Sequence, residues 1–333
     1  MPTRVMVVGL GATGAGVARQ LVARKGFKVV AAVDEDPARA GRDLGEVAGL
    51  GKKTGVRVVA DPAAAIRKTR PQVVLLCTGS GLREAWPRIE AVLKLKVPVV
   101  ATTEELVYPW FSNKALARKV DAAAKKARVA VAGTGVNPGF AMDALPIALT
   151  ALCERVDAVR VDRVEDARGR SEPFLRRIGA GLTPGEFAEQ VKSLEVRHVG
   201  LTESVAMVAD AAGFALDRIT DEIQPKLAEA PVEGGSLQVE VGQVCGIVQD
   251  GVGSVRGEPV VALHLEAYLG ATEAYDRVQI EGSPRVDVRA TGGYRGDTGA
   301  AAMAVNAIPR VLAAAPGLHT MRSLALPSYA GGR

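Results

Sequence analysis

Short runs of apolar, mostly β-branched residues alternate with amphipathic stretches as far as Gly133. This alternation predicts strands of a parallel sheet that is covered by helices on both faces. A helix is expected from Asn113 to Lys126, because Leu116 and Val120 share one face and lysines occupy the other. The six predicted strands are Arg4–Val8, Val29–Val33, Val56–Val59, Val73–Cys77, Val97–Ala101 and Val129–Ala132.

The pattern changes after Asn137-Pro138-Gly139, where the strand candidates become longer and are interleaved with helices. Asp250-Gly251 is a dipeptide typical of a tight hairpin turn between two of these strands. We therefore expect a mixed α+β domain built on a largely antiparallel sheet. Its predicted strands include Leu237–Val248, Pro259–Tyr268 and Val278–Ile280, and its predicted helices include Pro184–Ser193 and Ser204–Ala215.

The alanine-rich stretch Thr298–Ala314 is predicted to form a helix that packs back against the first domain. The fold class is therefore α/β, with a doubly wound parallel sheet followed by a second α+β domain. We place the domains at residues 1–138, 139–297 and 298–333, the last part being the returning helix and the residues after it.

A glycine-rich turn follows the first predicted strand, in the run Gly9-Leu10-Gly11-Ala12-Thr13-Gly14. Gly9 allows a tight turn, Gly11 lets the backbone approach a pyrophosphate, and Gly14 lets helix and strand pack closely. Asp34 follows the second strand about twenty residues further on, where an acid can bind ribose hydroxyls. This spacing predicts a Rossmann dinucleotide-binding domain, with the phosphates at the amide end of a helix that starts near Gly14.

Ligands of open α/β sheets collect beyond the carboxyl ends of the strands, so the residues that follow each strand are candidates for the site. Thr78-Gly79-Ser80 follows the fourth strand, and it either approaches the ribose and nicotinamide side of the cofactor or forms a simple loop. Asn137-Pro138-Gly139 follows the sixth strand, and it either presents an amide to the nicotinamide carboxamide or is a rigid hinge.

Glu104 and Glu105 follow the fifth strand, where a nicotinamide ring is expected to emerge. A carboxylate at this place can hold an ammonium group or take a proton during chemistry at a C–N bond. The alternative is structural, because the macrodipole favours acids in the first turn of a helix. Neighbouring side chains on a turn point in different directions, so we expect one of the two glutamates to enter the site.

The 333 residues include 42 Lys and Arg and 37 Asp and Glu, which gives a formal charge of +5 without a long basic run. This small excess suits an anionic cofactor and argues against nucleic acid as a partner. The chain starts with a core strand and has no apolar run of membrane-spanning length, so we expect a cytoplasmic protein without a membrane segment. Cys77, Cys153 and Cys245 lack the spacing of metal ligands; we expect reduced structural thiols and no metal site.

The three histidines give weaker signals. His264 alternates with apolar residues and is expected to be a strand residue, and His319 is expected in a C-terminal loop. His198 either lines a ligand site or has a structural role. The glycine-rich stretch Thr291–Thr298 either lets the backbone approach a ligand or ends in Asp297 as a helix cap.

A set of segments spread over nearly the whole chain is more specific than any single motif. It comprises Gly9–Gly14, Val33–Pro37, Asp43–Glu46, Cys77–Ser80, Glu104–Leu106 with Tyr108-Pro109, Asn137–Phe140, Val305–Pro309 and the distinctive stretch from Gly292 to Met321. Together these segments resemble the 2,4-diaminopentanoate dehydrogenase family, which includes native amine dehydrogenases and is distantly similar to dihydrodipicolinate reductase.

The resemblance implies a two-domain, homodimeric enzyme that oxidises a primary amine or diamino acid to a ketone or aldehyde with NAD(P)+. The reverse reaction would be reductive amination with ammonia. The resemblance also implies that Glu104 or Glu105 is the acid/base and the anchor of the amine, and we favour Glu104. The substrate pocket is expected between this turn, the crossing between the domains and the second domain, with Phe140, Phe174, Arg176, Arg177 and His198 as substrate residues.

The choice of cofactor can be argued from charge. Asp34 favours NAD, because a carboxylate accepts hydrogen bonds from the ribose hydroxyls and repels a 2′-phosphate. Arg39 lies close enough in sequence to moderate this repulsion, so we expect NAD to be preferred and NADP to be tolerated.

Two other classes of function stay open at this point. A dihydrodipicolinate reductase, or a diaminopimelate or homoserine dehydrogenase, is the nearest rival, although the reductase's histidine pair has no counterpart in this sequence. A non-catalytic NAD-sensing protein is the other alternative, and the presence of the two glutamates favours catalysis over it.

Overall fold

The computed structural model describes residues 1–235 and 237–331. These residues form two compact units, one made of Met1–Phe140 with the chain from Gly296 onward, the other of Ala141–Arg295. The second unit thus begins two residues after the expected boundary at 139. The C-terminal segment, which belongs to the first unit, begins two residues before the expected boundary at 298.

The described residues contain fifteen strands and eleven α-helices. The strands are β1 (Thr3–Val8), β2 (Phe27–Val33), β3 (Val58–Val59), β4 (Val73–Leu76), β5 (Val99–Ala101), β6 (Ala130–Gly133), β7 (Arg155–Asp166), β8 (Arg218–Leu227), β9 (Val232–Gly234), β10 (Leu237–Val239), β11 (Val244–Val255), β12 (Glu258–Tyr268), β13 (Tyr275–Ser283), β14 (Val286–Thr291) and β15 (Gly317–His319). The helices are α1 (Ala12–Ala23), α2 (Leu44–Val47), α3 (Pro62–Thr69), α4 (Leu82–Lys94), α5 (Pro109–Ser112), α6 (Lys114–Ala127), α7 (Ala144–Thr150), α8 (Glu172–Arg177), α9 (Pro184–Lys192), α10 (Leu201–Ala212) and α11 (Gly296–Ala313). One 3-10 turn spans Glu104–Leu106.

The first unit contains a parallel sheet with the strand order β15-β6-β5-β4-β1-β2-β3. The doubly wound fold and its six predicted strands are confirmed, although the third strand is shorter than expected. The seventh strand, β15, corrects the placement of His319 in a loop, because this residue pairs with Ala132 of β6. Strand β15 has only three residues and no apolar run, so its sequence does not indicate a strand. Asp121 of α6 holds β15 in place by accepting a hydrogen bond from the Leu318 amide at 3.0 Å.

Helices cover both faces of this sheet. Val5 and Val7 of β1 are buried in a cluster with residues of α1 and α11, whereas Met6 and Val8 are buried against α4 and α6. This alternation follows from the period of two residues along a strand. The predicted helix Asn113–Lys126 is found as α6, one residue further on at each end.

The second unit contains a six-stranded sheet with the order β14-β13-β7-β12-β11-β8 and a separate pair, β9 and β10. Only the β7–β12 pair of the larger sheet is parallel, so the prediction of a largely antiparallel sheet is confirmed. The sequence reading missed β7, β8 and β14, because charged residues interrupt their apolar pattern.

The predicted hairpin turn at Asp250-Gly251 is wrong, because both residues lie inside β11 and pair with His264 and Leu263 of β12. Gly251 lies where α10 packs on the sheet, and an added Cβ would stand 3.0 Å from Cγ of Leu201. The glycine therefore makes room for a helix. The actual turn is Arg256-Gly257, in which both residues have positive φ.

Other boundaries in the second unit also differ from the prediction. Leu237–Val248 is not one strand, because a turn containing Gly242 at φ 83° separates β10 from β11. The predicted helix Ser204–Ala215 is displaced by three residues, since α10 ends at Gly213 with φ 78°. Among the described residues, no helix is both long and apolar enough to cross a membrane.

Candidate active site

The glycine-rich turn brings three pieces of backbone into direct contact. Gly9 has φ 84°, and a Cβ added there would stand 2.4 Å from the carbonyl oxygen of Cys77, at the end of β4. A Cβ on Gly14 would stand 1.8 Å from the carbonyl oxygen of Gly9. No side chain fits at either position, so these glycines are needed for β1, α1 and β4 to meet.

Gly11 has a different role from its two neighbours in the motif. It is exposed, and an added Cβ would meet nothing within 4 Å. Helix α1 begins directly after it at Ala12, two residues earlier than expected, and Gly11 as N-cap provides no side-chain hydrogen bond. The first-turn amides of α1, which include that of Thr13, receive no side-chain cap from Gly11 and can therefore bind an anion such as a pyrophosphate.

Asp34 lies directly after β2 and is buried. Its carboxylate accepts hydrogen bonds from the amides of Leu10 at 2.6 Å and Asp36 at 2.9 Å, and from Nη1 of Arg39 at 3.1 Å. Burial by itself raises the pKa of Asp34, but these hydrogen bonds, with the charge of Arg39, outweigh it and lower the pKa below its usual value. The carboxylate is therefore ionised and fixed beside the glycine turn.

The strand order places the candidate segments in a row along the carboxyl edge of the sheet. Strands β2, β1, β4, β5 and β6 are successive neighbours. Asp34, the glycine turn, Thr78-Gly79-Ser80, the glutamate turn and Asn137-Pro138-Gly139 follow these strands in the same order. Neighbouring strands are about 4.8 Å apart, so the row can accommodate an extended dinucleotide from its adenosine end to its nicotinamide end.

Five buried side-chain polar atoms of the first unit have no hydrogen-bond partner within the described part of the chain, and all of them lie along this row. They are Oγ1 of Thr78, Thr103 and Thr134, and both amide atoms of Asn137. Each such atom lowers the free energy of unfolding of the ligand-free protein by about 1–3 kcal/mol. Asn137 offers both a donor and an acceptor, which matches the carboxamide of a nicotinamide, so the residues present fit this cofactor.

The loop that carries Asn137 is compact. The Asn137–Pro138 peptide bond is cis, and Gly139 has φ 122°. A Cβ on Gly139 would stand 2.3 Å from the amide nitrogen of Gly135. The chain therefore folds back on itself at this point, with Asn137 in the turn. Phe140, the last residue before the chain enters the second unit, is half-buried.

The structure distinguishes the two glutamates of the 3-10 turn. Oε2 of Glu105 accepts hydrogen bonds from the amide of Leu82 at 2.8 Å and from Nδ2 of Asn113 at 3.3 Å. The amide of Glu105 also donates to the carbonyl oxygen of Ser80 at 3.1 Å. Glu105 thus fixes the turn to the start of α4 and to the residue before α6. Glu104 is half-buried, and its carboxylate is in neither of these contacts.

In the second unit, a largely half-buried cluster of arginines surrounds His198. Burial and then the positive charges of four arginines lower the pKa of His198 to about 3, so the ring is neutral near pH 7. Gln249 fixes its backbone, accepting from the His198 amide at 2.8 Å and donating to its carbonyl oxygen at 3.1 Å. The four arginines are Arg163, Arg170, Arg177 and Arg197.

A buried ion pair orients this cluster. Nη1 of Arg163 donates to both carboxylate oxygens of Asp276, at 2.6 and 2.8 Å, and Nη2 donates to the carbonyl oxygen of Tyr294 at 2.7 Å. Nε of Arg197 and Nε2 of His198 are buried without a hydrogen-bond partner in the described structure. Glu165 pairs with Arg163 and Arg170, so acids offset part of the positive charge around His198. The buried Nε of Arg197 and Nε2 of His198 are groups that can bind a carboxylate.

The remaining predicted substrate residues of this unit have different surroundings. Phe174 is buried, with the guanidinium carbons of Arg170 and Arg177 at 3.8 and 5.9 Å from its ring centroid. Arg176 is 79% exposed and pairs with Glu172 on the same helix at 2.6 Å, so the structure does not include it in the cluster. No group of three or more His, Cys, Asp and Glu residues that could hold a metal occurs among the described residues.

Sequence reasoning missed several residues of these two sites. Thr103 and Thr134 follow strands β5 and β6, and that position alone could have identified them. Arg163, Gln249 and Asp276 lie within long strands of the second unit and give no local signal. Cys77 is a buried thiol whose pKa burial raises to about 12, in keeping with a structural role.

Comparison with known proteins agrees with this geometry. Residues 140–332 match the model of the 2,4-diaminopentanoate dehydrogenase C-terminal domain, and residues 3–134 match that of the dihydrodipicolinate reductase N-terminus. A 2,4-diaminopentanoate dehydrogenase of Acetoanaerobium sticklandii is 32% identical over 97% of this chain and 94% of its own length. An amine dehydrogenase of Streptomyces virginiae is 24% identical over 93% of this chain and 90% of its own.

A solved structure extends the likeness to three dimensions. The amine dehydrogenase of Mycobacterium smegmatis has a TM-score of 0.89 and 25% identity, covering 99% of this chain and 98% of that one. The fold, the row of polar groups and these relatives define an oxidoreductase that acts on amines with a nicotinamide cofactor. The chain belongs to the 2,4-diaminopentanoate dehydrogenase family.

The glycine turn gives a prediction with a matched pair of variants. Gly14→Ala forces β1 and α1 apart, so we expect both a lower melting temperature, from about 1–3 kcal/mol of lost stability, and weaker NADH binding. Gly11→Ala has space for its methyl group in the free protein, so its melting temperature should stay near wild type while NADH affinity falls. Thermal melts and fluorescence titrations with NADH measure both effects. Equal melting temperatures for the two variants would contradict the assignment.

Proposed function

We propose that this chain is an NAD-preferring amine dehydrogenase, which oxidises a primary amine to a carbonyl compound with release of ammonium and also runs in the reductive direction. The observation that carries the proposal is the position of Glu104 in the row of cofactor-facing segments, between Thr78 and Asn137. Bound nicotinamide accepts or supplies the hydride, and the protein must hold the nitrogen and move protons.

Glu104 is proposed as the acid/base, because it follows β5 in the row of candidate segments and Glu105 is already held by Leu82 and Asn113. As a carboxylate it holds the substrate ammonium and takes a proton as the C–N bond is oxidised and hydrolysed. Glu105 is proposed as a positioning residue, since its carboxylate already accepts from Leu82 and Asn113.

The substrate proposed is an amine that also carries a carboxylate. The support is the cluster around His198, in which a neutral imidazole and Arg197 offer buried polar atoms. The charges of the neighbouring Arg163 and Arg170 are offset in part by Asp276 and Glu165. Such a cluster binds a carboxylate far better than an alkyl group. Phe140, Phe174 and Arg177 are kept as substrate residues in this proposal, and Arg176 is not. A diamino acid such as 2,4-diaminopentanoate, named for the A. sticklandii relative, has the required groups.

NAD is proposed as the preferred cofactor, because the ionised Asp34 disfavours a 2′-phosphate. Arg39 donates to Asp34 at 3.1 Å, and it is the group that would meet such a phosphate. NADP is therefore proposed to bind more weakly rather than to be excluded. The homodimer and the cytoplasmic location expected from the sequence stay predictions, and the mass in solution is the check on the first.

One assay tests the substrate and the cofactor together. We expect the purified protein to form NADH from NAD+ and 2,4-diaminopentanoate, with kcat/KM at least about tenfold lower for butane-1,3-diamine, which lacks only the carboxylate. NADP+ should give a higher KM than NAD+. Equal efficiency with the two amines would contradict the carboxylate proposal, and no turnover with either amine would contradict the function.

The two glutamates can be separated by conservative substitution. Glu104→Gln should lower kcat by about 10²–10⁴-fold while NADH affinity is kept, because the general base is lost. Glu105→Gln keeps a carbonyl oxygen that can accept from Leu82 and should retain most of kcat, with a lower melting temperature. Steady-state rates and thermal melts measure this pair. If Glu105→Gln were the inactive variant, the roles would be reversed.

A further inference from the structure

Thr103 is a fully buried residue that directly precedes Glu104. It occupies the cap position of the 3-10 turn, yet its hydroxyl makes no capping hydrogen bond and has no other partner within the described residues. Its carbonyl oxygen accepts from the amide of Leu106 at 3.0 Å, so its backbone alone serves the turn.

Another threonine of this chain, also at a cap position, forms the capping hydrogen bonds that Thr103 does not form. Thr183 caps α9, where its Oγ1 accepts from the Glu186 amide at 3.3 Å and donates to the Glu186 carboxylate at 2.7 Å. Thr103 has the same residue type in an equivalent position without such bonds. A valine would fill the same space without leaving a buried hydroxyl unsatisfied, so the hydroxyl destabilises the free protein. A ligand-directed role accounts for its presence.

Two of the other unsatisfied groups, on Thr78 and Asn137, are better matched to the cofactor than to the reacting carbon. Thr78 adjoins the glycine turn, because its Cγ2 stands 2.9 Å from a Cβ added at Gly9. Asn137 has the donor and acceptor that match a carboxamide. Thr103 is the one that is adjacent in sequence to the proposed acid/base, Glu104.

We propose that the Thr103 hydroxyl binds the water that attacks the C=N carbon in the oxidative direction and leaves from it in the reductive direction. This inference rests on the proposed function and adds a catalytic residue to it. A threonine hydroxyl can accept a hydrogen bond from a water and donate one at the same time, which orients that water for attack.

Hydrolysis follows hydride transfer, after Glu104 has passed the proton of the substrate ammonium to solvent and is a carboxylate again. The water oxygen forms a bond to the carbon of the protonated imine, the C=N π electrons move to nitrogen, and the Glu104 carboxylate takes a proton from the water. Glu104 then returns this proton to the carbinolamine nitrogen, and the C–N bond breaks with its electrons leaving on ammonia. Glu104 takes the hydroxyl proton and passes it to the ammonia, so the products are the carbonyl compound and ammonium. Thr103 itself gains and loses no proton overall.

Three variants test the proposal. Thr103→Val replaces the hydroxyl by a methyl group of similar size, and Thr103→Ser keeps a hydroxyl without the methyl group. Thr69→Val is the matched control, because the Thr69 hydroxyl donates to the Ala65 carbonyl oxygen at 2.8 Å on a helix far along the chain from Glu104. The measurements are melting temperature without ligands, NADH affinity by fluorescence, and NADH formation from NAD+ and 2,4-diaminopentanoate, in the first turnover and at steady state.

We expect Thr103→Val to melt at or above the wild-type temperature, to bind NADH within twofold of wild type and to keep the first-turnover rate, while steady-state turnover falls at least tenfold. Thr103→Ser should recover most of that loss, and Thr69→Val should leave both rates unchanged. A lower melting temperature for Thr103→Val would overturn the proposal in favour of a structural hydroxyl.

Two other results would also overturn it. Weaker NADH binding would assign the hydroxyl to the cofactor, and an unchanged steady state would remove it from the reaction. If the wild-type protein itself formed no NADH from the amine, the proposed function would fail and the role of Thr103 with it. That result differs from an inactive Thr103→Val beside an active wild type, so the two failures are distinguishable.

Discussion

The contact between backbone atoms at the glycine turn is the constraint on which the cofactor edge depends. Gly14 lies against the carbonyl oxygen of Gly9, and Gly9 lies against that of Cys77, with no room for a Cβ at either glycine. This contact brings the start of α1 to the ends of β1 and β4, and leaves Gly11 exposed beside the first-turn amides. Asp34 completes the arrangement through its hydrogen bond from Leu10. The nucleotide end of the site is thus formed by local geometry.

The other half of the edge is built differently, from polar groups that the protein leaves unsatisfied. Thr103, Thr134 and Asn137, which follow β5 and β6, keep buried polar atoms that have no partner in the described part of the chain. Such groups lower the stability of the free chain, and a bound ligand can recover that loss. The second unit has similar atoms at His198 and Arg197, which find no partner among the described residues and have arginines and their paired acids as neighbours. We propose different ligand groups for the two places, a neutral amide in the first unit and a carboxylate in the second.

Features that depend on neighbouring residues could be predicted from the sequence, whereas features that depend on residues far apart in the chain could not. The glycine turn, Asp34 and the position of the glutamates after β5 are set by neighbouring residues, and their positions were predicted. Asp250-Gly251 has the local composition of a turn but lies in a strand, because α10 packs on it. The Arg163–Asp276 pair joins residues 113 positions apart, so no window of sequence could indicate it. Thr103 could be placed by sequence, but its unsatisfied hydroxyl could not.

Amide hydrogen exchange of the chain, measured with and without NADH, tests the central claim most directly. The account predicts that NADH slows exchange in peptides covering residues 9–15, 78–82, 103–107 and 134–139, which are the successive segments of the carboxyl edge. Protection confined to the six-stranded sheet of the second unit, or no added protection in these four segments at saturating NADH, would contradict it.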